Sequence, residues 1–159
     1  MKMSKRIVGE KTFPDTIDIT DPCYDRDVWC RVNGVKIVPG NYTCIAWIYN
    51  DTFEWNGKMQ NVRYVGSCGI YLNGIIPSQK DYEEIGEIGV DAGLAGFFID
   101  KPDYTDSEWH DFCDRIKKGN AWIFDEGFFT SSGHGDGGYP VYAAKDKEGN
   151  IVSLEIRFI

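Results

Sequence analysis

Three short segments of this 159-residue chain carry residue types that could do chemistry. The first, Thr20-Asp21-Pro22-Cys23-Tyr24-Asp25, sets a carboxylate, a thiol and a phenol almost side by side. Asp-Pro is a good turn opener. Asp21 therefore either closes an Asx-turn over a packed Cys23 or faces a ligand. The second is Ile88-Gly89-Val90-Asp91-Ala92-Gly93-Leu94-Ala95-Gly96-Phe97-Phe98. Asp91 interrupts an apolar run, and a carboxylate buried there must be hydrogen-bonded, paired or metal-bound. The flanking glycines allow a sharp bend between two strands, where Asp91 would be an ordinary turn residue. The third is Ser131-Ser132-Gly133-His134-Gly135-Asp136-Gly137-Gly138-Tyr139-Pro140. So many glycines cost chain entropy on folding, which implies special backbone angles or a close approach by something else.

Each segment suggests a reaction and an objection to it. Ser132, His134 and Asp136 alternate, so an extended backbone would aim all three the same way. A hydrolytic triad needs its base between nucleophile and orienter, a line that neighbours on one strand rarely form. The segment is not a phosphate-binding loop either, because no Gly-Lys-Ser/Thr follows. A thiolate–imidazolium pair of Cys23 with His134 has no spacing argument behind it. Were Asp21, Asp91 and Asp136 to converge, three carboxylates would offer oxygen ligands suited to magnesium or calcium, not zinc. Tyr24, Tyr104 and Tyr139 beside polar loops could offer stacking faces to a base or sugar ring. The candidate ligand-binding residues are therefore Asp21, Cys23, Tyr24, Asp91, Ser132, His134, Asp136 and Tyr139, with Asp21, Asp91 and Asp136 as the candidate metal ligands.

The elements that must position these residues are mostly strands. Asn-Gly, which tolerates positive φ at both positions, occurs at Asn33-Gly34, Asn56-Gly57 and Asn73-Gly74, and each suits a two-residue hairpin turn. Around them lie Val28–Val32, Val35–Val38, Tyr42–Tyr49 and Val62–Leu72, runs rich in β-branched and aromatic residues that read as an antiparallel meander. Gly66 and Gly69 inside the last run suggest a bulge or a close approach. Val152, Leu154, Ile156 and Phe158 alternate with Ser153, Glu155 and Arg157, a strand with one wet face. Its expected partner, Tyr139–Ala144, either starts at Pro140 or lies at an edge, since proline donates nothing to a ladder. Thr105-Asp106-Ser107-Glu108 is a capping box. Trp109, Phe112, Cys113 and Ile116 follow as one apolar stripe, which predicts a helix over 106–118 packed on the sheet. The expected fold is mainly β (α+β): an antiparallel β-sandwich or partly open barrel, with residues 1–159 as a single domain.

Charge narrows the partners. Lys and Arg number 17 against 25 Asp and Glu, a formal net of −8. That excludes a nucleic-acid binder dependent on a basic face and docking on an anionic membrane. The excess is local: residues 81–136 hold 14 acidic against 4 basic side chains, a net of −10, leaving +2 for the rest. Such a field repels bare phosphates and attracts cations or a basic partner. There is no apolar run of membrane-spanning length and no apolar signal core. Five cysteines, an odd count without metal-site spacing, read as reduced thiols, so a cytoplasmic location is expected.

Together, Asp21-Pro22-Cys23-Tyr24, Val90-Asp91-Ala92-Gly93-Leu94-Ala95 and Ser132-Gly133-His134-Gly135-Asp136-Gly137-Gly138-Tyr139-Pro140-Val141 resemble an uncharacterised family of bacterial and phage domains of unknown function. The most specific element is the C-terminal pattern Ser-Gly-x-Gly-Asp-Gly-x-Tyr-Pro-Val followed by a hairpin. The resemblance implies a β-rich domain of prokaryotic or viral origin and supplies no activity. The leading expectation is a non-enzymatic protein that binds a small polar molecule, such as a nucleotide-derived signal, or a basic protein partner. The alternative is a metal-dependent, phosphodiesterase-like hydrolase using the three aspartates.

Overall fold

The computed structural model describes residues 3–159. Eleven strands run in chain order as β1 (Met3–Phe13), β2 (Thr16–Thr20), β3 (Val32–Lys36), β4 (Gly40–Trp55), β5 (Lys58–Leu72), β6 (Tyr82–Val90), β7 (Leu94–Phe98), β8 (Ala121–Phe124), β9 (Gly127–Ser131), β10 (Gly137–Lys145) and β11 (Ile151–Arg157). One helix, α1 (Asp106–Asp114), lies between β7 and β8. A six-stranded sheet has the order β1-β4-β5-β11-β10-β6, and a five-stranded sheet has the order β3-β2-β7-β9-β8. Every ladder is antiparallel. Among the described residues no helix is long and apolar enough to cross a membrane.

The inner faces of the sheets meet over one core that includes Phe13, Ile17, Ile19, Tyr42, Ile70, Ile88, Phe97, Phe128, Val141, Leu154 and Ile156. Each such side chain contributes roughly 1.5–3 kcal/mol when fully buried. A second cluster forms on the outer face of the five-stranded sheet. There Phe112 of α1 packs on Phe98 and Phe129, flanked by Trp109, Trp122 and Phe124. The capping box is made as its residues require: Glu108 N–H donates to Thr105 Oγ1 (3.2 Å), and Thr105 N–H donates to Glu108 Oε1 (3.1 Å).

Several local expectations need correction. The helix ends at Asp114, not at Lys118. Beyond it the Arg115 guanidinium pairs with Glu126, and Trp122 Nε1 donates to the Lys117 carbonyl (3.0 Å), so the chain is drawn back onto the sheet. Of the three Asn-Gly pairs, only Asn56-Gly57 turns a two-residue hairpin: both residues have positive φ and Trp55 pairs with Lys58. Asn33-Gly34 lies inside β3, because the Gly34 amide is held by Asp18 Oδ1 (2.8 Å) from the neighbouring strand. The residues before it, Val28 to Arg31, form a loop and no strand. Asn73-Gly74 ends β5 and leads into a single 3-10 turn, Gln79–Asp81.

Gly66 does form a bulge, since the β4–β5 register slips between Trp47 and Ile48. β10 begins at Gly137, three residues before the proline. Pro140 is accommodated because the ladder to β11 starts only at Val141, which leaves Pro140 paired on the β6 side alone. The polar face of β11 is not wet. Ser153 and Glu155 are buried there, where Tyr71 Oη donates to Glu155 Oε2 (2.6 Å) and Tyr82 Oη lies 2.6 Å from Ser153 Oγ.

Candidate functional site

The three segments singled out in the sequence meet at one end of the sandwich. The 91–93 bend carries the chain from β6 in one sheet to β7 in the other. Gly137 pairs with Val90, which seats the glycine-rich segment beside that bend, and the Ser132 amide donates to the Gly93 carbonyl (3.1 Å). Asp21 closes the arrangement. Its side chain is fully buried, with Oδ1 accepting from Cys23 N–H (2.8 Å) and Oδ2 from the Asp91 and Ala92 amides (2.8 and 2.7 Å).

That contact removes the three-aspartate metal site. The Asp21 oxygens are directed at amide hydrogens, whereas Asp91 and Asp136 are exposed. Among the described residues no group of three or more His, Cys, Asp or Glu side chains is placed to hold a metal ion. The donor set therefore does not fit magnesium or calcium at Asp21, Asp91 and Asp136. The glycine-rich segment is also internally stapled. Ser132 Oγ and Tyr139 Oη both donate to the Gly135 carbonyl (2.8 and 2.7 Å), whereas His134 is exposed with Nε2 3.2 Å from Tyr64 Oη. Ser132, His134 and Asp136 thus form no relay. Cys23 has no imidazole beside it, and burial followed by the nearby Asp21 carboxylate raises its thiol pKa. A reactive thiolate requires the opposite shift.

What the convergence creates is a pair of hollows on either side of Tyr24. The first, about 400 Å³, is lined by Tyr24, Trp29, Cys30, the β6 residues Glu87 to Val90, and Gly137 and Gly138 of β10. The second, about 380 Å³, is lined by Cys23, Tyr24, Asp25, Val28, Asp91, Tyr104, Asp106 and Trp109. Among the described residues neither lining contains Lys or Arg. Burial, followed by the neighbouring Cys30, pushes the Tyr24 phenol up to about 12, so it stays neutral at physiological pH.

The loop that forms the wall, residues 21–31, is clipped at several points. The buried Arg31 donates from Nη1 to the Tyr24 carbonyl (2.7 Å) and pairs through Nη2 with Asp18 (3.3 Å). Arg26 pairs with the same carboxylate at 2.8 Å, and its amide donates to Asp103. The Gly89 amide donates to the Cys30 carbonyl (2.9 Å), pinning the loop to β6. Between these anchors Trp29 is 91% exposed. Contact restricts Gly89 more than Gly138, whose neighbour is the movable end of a side chain. A Cβ at Gly89 would lie 2.8 Å from Cys30 Sγ, and one at Gly138 would strike the Glu87 carboxylate.

Trp29, Glu87 and Trp109 are absent from the set expected from sequence. Trp29 reads as part of a strand, yet its setting in Asp25-Arg26-Asp27-Val28-Trp29, an apolar ring inside a charged loop, is the signal that marks it. Comparison of the chain with protein-family models, with curated proteins and with solved structures returns no match.

Proposed function

We propose that this chain is a non-enzymatic binding protein whose ligand enters the hollow between Trp29 and the glycine backbone of β6 and β10. One observation carries the reading: an indole almost wholly exposed to water is held by a clipped loop over a backbone-floored hollow. Covering such a ring removes on the order of 100 Å² or more of apolar surface from water, a gross gain of about 3 kcal/mol. The ligand class is a small polar molecule with a flat face, which stacks on Trp29 and offers a donor to Glu87. A nucleotide-derived signal fits through its base and ribose, because among the described residues no cationic side chain lines the hollow to take a phosphate. A reducing cytoplasm of a prokaryotic or virus-infected cell is the proposed setting, and five unpaired cysteines support the redox part of it.

Tryptophan fluorescence and calorimetric titration against nucleosides, nucleotides and sugars tests the proposal. At least one compound is expected to bind wild type at micromolar concentration, with affinity falling about tenfold or more in Trp29→Ala. No binder in the panel, or equal binding by the variant, overturns it. A basic protein partner is the second reading. It is favoured by the exposed carboxylates Asp106, Glu108, Asp111 and Asp114 on α1, and its mark would be a salt-sensitive complex.

A further inference from the structure

We infer that the face of the six-stranded sheet turned away from the core binds a small, flat monocarboxylate, at a site independent of the Trp29 hollow. The cavity there, about 220 Å³, is lined by Met3, Trp47, Ser67, Gln79, Glu155 and Arg157. It shares no lining residue with the two hollows beside Tyr24. Strand pairing explains why it exists. Trp47 on β4, Ser67 on β5 and Arg157 on β11 are direct cross-strand partners, so a small side chain stands between an indole and a guanidinium. Neighbouring strands lie about 4.8 Å apart, which sets the outer two backbones about 9.6 Å apart. A flat group packed on both sides needs about 7 Å, two contact distances of about 3.5 Å.

The polar atoms around the cavity leave donors over and no open carboxylate. Glu155 is buried and engaged: Oε1 accepts from Arg157 Nε and Nη2 (3.2 and 3.0 Å), and Oε2 accepts from Tyr71 Oη (2.6 Å). Tyr71 reaches it by lying back over Gly69, and Trp47 Nε1 donates to the same hydroxyl (2.7 Å). The guanidinium is fixed as well, 3.9 Å from the Tyr142 ring centroid and donating from Nη2 to Gln79 Oε1 (2.9 Å). Among the described residues three donors remain unused: Arg157 Nη1, the Gln79 side-chain NH2 and the Ser67 hydroxyl. Ser67 is the independent indication. It is only 4% exposed, yet its hydroxyl makes no hydrogen bond among the described residues. Every fully enclosed polar side-chain atom among them has a partner, so this hydroxyl opens into the cavity it lines. A buried hydroxyl left open in this way calls for an outside partner. A carboxylate accepts from all three donors without bringing a donor of its own. A cation finds no open carboxylate, and a dianion would meet Glu155 with one shared guanidinium between them. The body of the ligand lies against the Trp47 ring and the Met3 thioether.

The test is an NMR titration of the ¹⁵N-labelled full chain, reading the indole N–H signals of Trp47 and Trp29 after assignment by Trp47→Phe and Trp29→Phe. The probes are benzoate, benzyl alcohol and benzylamine, one ring with a negative, a neutral and a positive end. Benzoate is expected to move the Trp47 signal and to bind about fivefold or more tighter than the other two. Ser67→Ala should weaken it about fivefold. Arg157→Lys keeps the charge but loses the Nη1 donor, and should weaken it about tenfold. Ser67→Leu fills the space between indole and guanidinium and should abolish binding while the Trp29 signal stays in place. Should that variant fail to fold, Ser67→Ala carries the same decision. Equal binding of benzoate and the alcohol, tighter binding of benzylamine, or undiminished affinity in the Ser67 variants overturns the inference. No movement of Trp47 by benzoate overturns it too. Benzoate moving Trp29 alone removes this site and keeps the proposed function. Benzoate moving Trp47 while no nucleoside, nucleotide or sugar moves Trp29 keeps this site and removes the first hollow.

Discussion

Removing the Asp21 carboxylate should loosen the junction of the three segments more than any change among the exposed acids. The carboxylate is fully buried and accepts three backbone N–H bonds of 2.7–2.8 Å. Hydrogen bonds to a charged group contribute roughly 1.5–3 kcal/mol each, so three set an upper bound of about 4.5–9 kcal/mol. Asp91 and Ala92 are exposed and Cys23 is partly so, which lets freed amides regain water. The net cost of Asp21→Ala is then about 3 kcal/mol, at the large end for a point substitution. For a chain of this length that lowers Tm by about 6–12 °C. Asp21→Asn keeps one acceptor oxygen but turns an NH2 group toward an amide hydrogen, so it should cost about 2 kcal/mol. Urea unfolding followed by circular dichroism gives the stability change. Amide exchange gives its location, with Cys23, Asp91 and Ala92 accelerated ahead of the β4–β5 ladder. A loss below about 0.5 kcal/mol, or exchange at those three amides equal to wild type, would refute the assignment of Asp21 as the clasp.

Gly96→Ala should cost about 3 kcal/mol or more, because its Cβ would strike the Phe128 carbonyl and come within 2.5 Å of Phe129 Cα on the paired strand. Gly127→Ala meets the Phe97 carbonyl in the same way, and urea midpoints matching wild type for both would contradict the β7–β9 packing. Alkaline pH should unfold the protein. Burial pushes Tyr42, Cys44 and Cys68 up to about 12, from ordinary values of 10.0 and 9.0. These folded-state values lie above the unfolded ones, so the stability they contribute is complete below about pH 9 and is lost progressively up to about pH 12. A urea midpoint at pH 11 equal to that at pH 8 would count against this.

Patterns confined to neighbouring residues were legible in the chain. The capping box of α1, the Asn56-Gly57 turn, the Gly66 bulge and the presence of a strand at β11 each depend on contacts a few positions apart or on local residue type, although the burial of β11 does not alternate. What the chain could not disclose was which distant group arrives beside a residue. Glu155 looks like a solvated position in an alternating strand. It is buried because Tyr71, 84 residues earlier, brings a hydroxyl onto it, while Arg157 two residues on supplies the charge (3.0 Å). Asn33-Gly34 has the right chemistry for a hairpin, but the Asp18 carboxylate takes the Gly34 amide first. Asp21 was legible by half: its bond to Cys23 N–H is the local Asx-turn, and its bonds to Asp91 and Ala92 span about 70 residues.

The glycines tell the same story. A dense run of glycine signals that something lies close to the backbone, but not whether it is a ligand or the protein itself. At Gly69 the neighbour is the Tyr71 ring, at Gly89 it is Cys30, and at Gly96 and Gly127 it is the adjoining strand. Those positions are filled, so their glycines are explained by packing. At Gly137 and Gly138 the nearest side chains are Tyr139 and the flexible end of Glu87, and the backbone there forms one side of an open hollow with Trp29 beside it. Gly137 is further set by its backbone, with φ of 157°, and the proposed function assigns the open side of this backbone to a ligand. The convergence of three segments therefore matters through backbone and aromatic rings, whereas the aspartates that first drew attention divide between a clasp, Asp21, and an acidic rim.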